Sequence, residues 1–181
     1  MRASSKHVAL LRGINVGGKN MLPMKELAAM FGKAGCGDVV TYIQSGNVVF
    51  RASDKVVTGL GGRIAKQVEA QFGIRVPVVL RSAAEIDAVI RRNPFLKTGA
   101  SEEMLHVCFL ADQPGKDLVA GVDAGRSSPD VFDVVGRDIY LQLVNGMART
   151  KLTNAYFDSK LKTVSTMRNW RTVLKLAEIL A

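Results

Sequence analysis

"VVTYIQSGNVVFRA", Val39–Ala52, reads as two extended runs folded back on Gln44-Ser45-Gly46-Asn47. Glycine and asparagine tolerate the left-handed backbone of a tight reversal, and Val, Thr, Tyr and Phe suit the pleated backbone on either side. What flanks this hairpin decides the fold. Upstream, His7–Arg12 is a short apolar strand that ends in a glycine-rich loop. Pro23 suits a first helical position, and Leu27, Met30, Phe31 and Ala34 recur at helical spacing until Gly35 and Gly37 stop the helix. Downstream, 56–72 reads as a helix with Leu60, Ile64, Val68 and Phe72 in register, weakened in its first turns by Gly59, Gly61 and Gly62. "IRVPVVL", Ile74–Leu80, is another strand, and Pro77 suits a sheet edge. The order β-α-β-β-α-β is that of a ferredoxin-like unit.

The second half echoes the first. "LHVCFLA", 105–111, is a strand, 115–122 a short helix, and "PDVFDVVGRDIYLQLV", 129–144, a hairpin turning near Gly136-Arg137-Asp138. A helix follows at 153–162. "HVALL" and "HVCFL" occupy the same place in the two halves, which suggests an internal repeat. The expected fold is α+β: two ferredoxin-like halves in tandem, the second degenerate, closing on a helix from about residue 167. Trp170, Val173, Leu174 and Ala177 share one face of that helix, so Trp170 is expected in the core. The expected boundaries are a half at 1–92, a linker at 93–103 and a second α+β half with the C-terminal helix at 104–181.

The chain of 181 residues is 48% hydrophobic and 23% charged, a composition that excludes a disordered chain. No apolar run approaches the roughly 20 residues of a membrane span, and the N-terminal apolar run, cut at Arg12, is too short for a signal peptide. A cytoplasmic protein with no membrane partner is the expectation. Cys36, Cys108, His7 and His106 form no metal-ligand spacing, so no metal is expected and the residues name no cofactor. Lysine and arginine number 25 against 16 acids, a net charge of +9 that favours anionic partners. Between Arg149 and Lys175 stand seven basic residues and one acid, Asp158. Such a run also suits a solvated basic face.

In a ferredoxin-like sheet the first and third strands are antiparallel neighbours. The Arg12–Asn20 loop is therefore expected beside the Gln44–Asn47 turn. Glycines let backbone N–H groups face a ligand, arginine adds a planar donor fork, and asparagine adds neutral donors and acceptors. The combination suits phosphate or carboxylate, although the same glycines and asparagines also serve tight turns. "STMRNWRTV", 165–173, adds a third piece: with Ser165 or Thr166 as helix cap, Arg168 would lie in the first helical turn, where an anion would offset it. Arg168 and Asn169 are then expected to leave the core. The candidate ligand-binding residues are Arg12, Asn15, Gly17, Gly18, Gln44, Ser45, Gly46, Asn47, Arg168 and Asn169.

Gly13 to Lys19 also matches G-x-x-x-x-G-K, but Asn20 stands where a P-loop needs Ser or Thr for magnesium. Pro23 places the helix start too late, and the hairpins oppose a mostly parallel sheet. A nucleotide-hydrolysing P-loop is not the expectation.

"RGINVGGKN", "MKELAAMF", "TYIQSGNVVF", "NPF" and "TMRNWRTVLKL" together resemble the bacterial domain of unknown function 1697 family. The resemblance covers nearly the whole chain. It implies that Arg12, Gly13, Asn15, Gly17, Gly18, Gln44, Ser45, Gly46, Asn47, Arg168, Asn169 and Trp170 are signature positions, and an α+β fold. It implies no activity. The expected function is binding of a phosphate-bearing ligand: a nucleotide, a nucleic-acid end or a phosphorylated metabolite. The expected partner is thus a phosphate-bearing small molecule, or nucleic acid bound weakly and without sequence preference. The alternative is an enzyme acting on a small polar or phosphorylated substrate, with Ser45 as nucleophile or the arginines as clamps. Whether a reaction occurs, and the oligomeric state, are not legible in the sequence.

Overall fold

The computed structural model describes residues 4–181. The chain divides into two compact units, one ending at Asp87 but rejoined by Leu176–Ala181, the other Ala88–Lys175.

The first unit runs β1 (Ser5–Leu11), α1 (Met24–Lys33), β2 (Gly37–Tyr42), β3 (Asn47–Ala52), α2 (Asp54–Val57), α3 (Leu60–Phe72) and β4 (Val78–Ser82), followed by α4 (Ala83–Arg92). Its four strands lie in the order β2-β3-β1-β4, the ferredoxin-like arrangement, with antiparallel neighbours throughout. The helix expected over 56–72 is interrupted: α2 stops at Val57, and Gly59, at φ 68°, restarts the chain into α3. Pro77 lies immediately before the edge strand β4, where its missing N–H costs no ladder bond. Edge strand β2 carries an irregularity between Gly37 and Val40, with Asp38 at φ 47°. Such a bulge blunts an edge against pairing with another chain. The core sets Ala9, Leu11, Val48 and Phe50 of the sheet with Leu27 and Phe31 of α1 and Leu60, Ile64 and Val68 of α3. Each large side chain withdrawn from water contributes about 1.5–3 kcal/mol.

Helix α4 is an element beyond those expected from the sequence. Ser82 Oγ accepts from the Glu85 N–H at 3.2 Å, and Glu85 Oε2 accepts from the Ser82 N–H at 2.7 Å. This reciprocal capping box starts α4.

The second unit continues with 3-10 turns at Pro94–Lys97 and Glu102–Met104, then β5 (Leu105–Leu110), α5 (Lys116–Ala120), β6 (Val131–Val135), β7 (Asp138–Gln142), α6 (Asn154–Leu161), β8 (Ser165–Asn169) and α7 (Trp170–Leu180). Its sheet, β6-β7-β5-β8, repeats the first order. The degeneracy of this half lies in its helices, since α5 has five residues where α1 has ten. After α5 the loop is fixed by a buried carboxylate: Asp130 accepts from Ser127 Oγ at 2.7 Å and from the Asn145 N–H at 2.7 Å. The core joins Cys108, Leu110, Ile139 and Leu141 to Tyr156, Phe157 and Leu161 of α6.

The final helix starts later than expected. Residues 165–169 are a strand paired with β5 from Leu110↔Ser165 to His106↔Asn169, and the helix begins at Trp170. Ser165 and Thr166 lie in the strand and are too far from Trp170 to cap the final helix, and both are fully buried. The helix cap is Asn169, whose Oδ1 accepts from the Thr172 N–H at 2.8 Å. The repeat is therefore closer than two short matches suggest. Val8 lies opposite Arg81 and His7 opposite Ser82; Val107 lies opposite Arg168 and His106 opposite Asn169. In each half a buried arginine and then a polar cap end the last strand and open a helix.

Candidate functional site

The loops at 12–20 and 43–47 meet at one end of the first sheet. β1 pairs with β3 up to Leu10↔Asn47, and the ladder continues into the loops through the Leu11 N–H donating to the Gly46 carbonyl at 2.8 Å. A Cβ on Gly46 would sit 2.7 Å from Leu11 Cβ and 3.0 Å from Ile14 Cδ1. Gly46, at φ 80°, is therefore required both by its turn and by the close approach of the neighbouring loop.

Asn15 ties the site together. Its amide nitrogen donates to the Leu22 carbonyl at 2.9 Å and to the Gln44 carbonyl at 2.9 Å, while its oxygen accepts from the Leu22 N–H at 2.7 Å. Asn20 Nδ2 donates to the Gly13 carbonyl at 2.7 Å, and the Asn15 N–H to the Asn20 carbonyl at 3.1 Å. At the tip the Lys19 N–H donates to the Val16 carbonyl at 3.0 Å across Gly17 and Gly18, which have φ of 56° and 72°. Two successive left-handed residues make a reversal of the kind that closes hairpins. Asn47 is wholly buried, and its amide donates to the Tyr42 carbonyl and to Ser45 Oγ, both at 3.1 Å.

The first eight candidate residues thus come together, with divided roles. Asn15, Gly46 and Asn47 are engaged in building the paired loops. Gln44, Gly17 and Gly18 are exposed, while Arg12 and Ser45 are half-buried. The Ser45 hydroxyl accepts from the Asn47 amide, a group that cannot take up a proton.

Arg168 and Asn169 belong to the second unit. The expectation that both leave the core is corrected for Arg168: strand pairing, not a helical turn, sets its direction. It is only 8% exposed, and its Nη1 donates to Thr166 Oγ1 at 2.8 Å and to the Met167 carbonyl at 2.9 Å. Burial lowers its pKa to about 10, an effect that nearby Cys108 partly opposes. Asn169 is exposed and caps α7. Trp170 is buried as expected.

Lys19, which the loop's glycines and asparagines did not single out, adds a cation to the first site; it stands in the same loop and is exposed. Neither 12–25 nor 43–47 contains an acid. Among the described residues no group of three or more His, Cys, Asp or Glu is placed to hold a metal, and no helix is long and apolar enough to cross a membrane.

A family model described as "Protein of unknown function (DUF1697)" matches residues 4–140. The fold is similar to that in "The structure of conserved bacterial protein SP0830 from Streptococcus pneumoniae", with a TM-score of 0.71 and 23% identity over 99% of this chain and 100% of that one. No curated protein matches the sequence.

Proposed function

The chain belongs to the DUF1697 family, and from that premise we propose that the paired loops at the end of β1 bind a phosphate-bearing ligand. The observation that carries the reading is the juxtaposition itself. The Asn15–Gln44 hydrogen bond joins two polar loops in which Arg12 and Lys19 are cations and no acid is present. Arg12 and Lys19 supply charge, the exposed Gly17–Gly18 turn lets an anion approach the backbone, and Gln44 and Ser45 supply neutral hydrogen-bonding groups. Asn15, Gly46 and Asn47 hold this arrangement. Binding needs no change in the sheet, because the two loops are already tied.

Titration of the isotopically labelled protein with inorganic phosphate, pyrophosphate and nucleotides at low salt is the test. Amide shifts are expected at Arg12, Gly17, Gly18, Gln44 and Ser45, and Arg12→Ala should weaken binding about tenfold or more, as for loss of a charged hydrogen bond. Shifts confined to other surfaces, or none with any anion, end this reading.

A further inference from the structure

Three large apolar side chains stand in water around the paired loops: Val16 is 64% exposed, Met21 63% and Ile43 50%. Their clustering follows from Asn15. Its side chain bonds to Leu22 and Gln44, and Val16, Met21 and Ile43 are the chain neighbours of Asn15, Leu22 and Gln44. One peptide step spans about 3.8 Å, so the backbone positions of the three lie in one region of the tied loops. The exposure is not slack packing, because Ile14 and Leu22 in the same loop are each only 1% exposed. The loop turns some apolar side chains inward as anchors and holds others outward. Ile43 keeps a φ of 49°, a costly conformation for a β-branched residue.

A clustered apolar tip marks a contact surface. The loop that carries it is open to solvent: apart from chain neighbours, no atom lies within 4 Å of where a Cβ would sit on Gly13, Gly17 or Gly18, and all three are exposed. An open loop does not suit a peptide that needs a groove. Stacking on nucleic-acid bases needs rings, and neither 12–25 nor 43–47 has an aromatic residue. Lys19, in the same loop, and Lys25, at the start of α1, are exposed, and Arg12, where the loop begins, is half-buried. Exposed apolar side chains in the same stretch as three cations, with Glu26 as the first acid after them, match a surface that is anionic outside and apolar beneath.

We infer that this tip docks on an anionic phospholipid bilayer, with Val16, Met21 and Ile43 entering the acyl boundary and Arg12, Lys19 and Lys25 meeting headgroup phosphates. The inference rests on the phosphate-binding reading and names that phosphate as a lipid's. The protein lies on the bilayer and does not span it. Apolar burial and attraction to anionic lipid add in such contacts, and the net charge of +9 acts in the same sense.

Co-sedimentation of the full chain with vesicles at low salt tests it. Vesicles of phosphatidylcholine with about three parts in ten phosphatidylglycerol should bind, and pure phosphatidylcholine should not. The triple variant Val16→Ser, Met21→Ser, Ile43→Ser should keep the fold, since all three side chains are exposed, and should lose about tenfold or more in partitioning. Equal binding by the triple variant overturns the inference, because the contact would then be charge alone. Absence of binding to the phosphatidylglycerol vesicles overturns it as well. If inorganic phosphate still shifts the Arg12 and Gly17 amides in that case, the phosphate reading survives; if it does not, both fail. Binding of a single-stranded oligonucleotide but not vesicles, lost in the triple variant, overturns it in favour of nucleic acid.

Discussion

Gly46 and Asn15 show how much of the site one residue carries. Adding a methyl group at Gly46 drives it into Leu11 and Ile14 and places a β-carbon on a left-handed backbone. Gly46→Ala is therefore expected to cost roughly 2–4 kcal/mol, measured by urea unfolding; a cost under 1 kcal/mol would show that the loops yield. The turn chemistry at Gly46 was legible in the sequence, but the close approach was not, because Leu11 and Ile14 meet it only through strand pairing. Asn15 was legible as a polar loop residue. Its engagement with Leu22 and Gln44 was not, since hydrogen bonds 7 and 29 residues along the chain leave no local pattern. His7 and His106 carry a pH dependence. Burial lowers both pKa values below 6.5, opposed in His7 by Glu85 and Asp54 and in His106 by the Met104 carbonyl. The unfolded chain takes up these protons near 6.5 and the folded chain only at lower pH, so their contribution is full above 6.5 and is lost as pH falls through the lowered values. The urea midpoint should fall between pH 7.5 and 5.5, and His7→Gln with His106→Gln should flatten the slope. A midpoint unchanged over that range in the wild-type protein contradicts this account.

At the scale of elements, strands β1, β3 and β7 and the two hairpins announce themselves through Val, Ile, Phe and Tyr beside Gly turns. Strand β8 does not. "STMRN" has no apolar alternation and resembles a helix cap, and only its pairing with β5 makes it a strand. The local signal that could have found α4 is the Ser82-x-x-Glu85 capping box. For β8 the signal is the match between "LRS" at Leu80–Ser82 and "MRN" at Met167–Asn169, each an arginine followed by a helix cap. Arg168 is the unusual member of β8, a cation in a buried strand. Arg168→Met keeps most of the volume but takes the donor from the Thr166 hydroxyl and the Met167 carbonyl, so it should cost about 1–3 kcal/mol. Arg168→Ala leaves a cavity as well and should cost about 2 kcal/mol more. Equal losses in both, by chemical unfolding, would mean that the guanidinium hydrogen bonds outweigh its volume.

The whole molecule is two units of the same strand order in one chain, and the first unit is discontinuous. Leu176 and Leu180, in the segment that rejoins it, are fully or nearly fully buried. A chain ending at Lys175 should therefore melt about 2–12 °C lower, as expected for loss of about 1–3 kcal/mol in a protein of this size; an unchanged melting curve would show that the segment only decorates the unit. This closure was not legible in the sequence, because the apolar stripe of α7 says that the helix packs but not on what. The discontinuity also sets an order of events during synthesis. The 88 residues of the second unit are made between the two parts of the first, which at ~5–20 residues per second takes ~4–18 s. The unit begun first is thus the last to be finished: the ribosome completes the later half while the earlier one still awaits its final six residues.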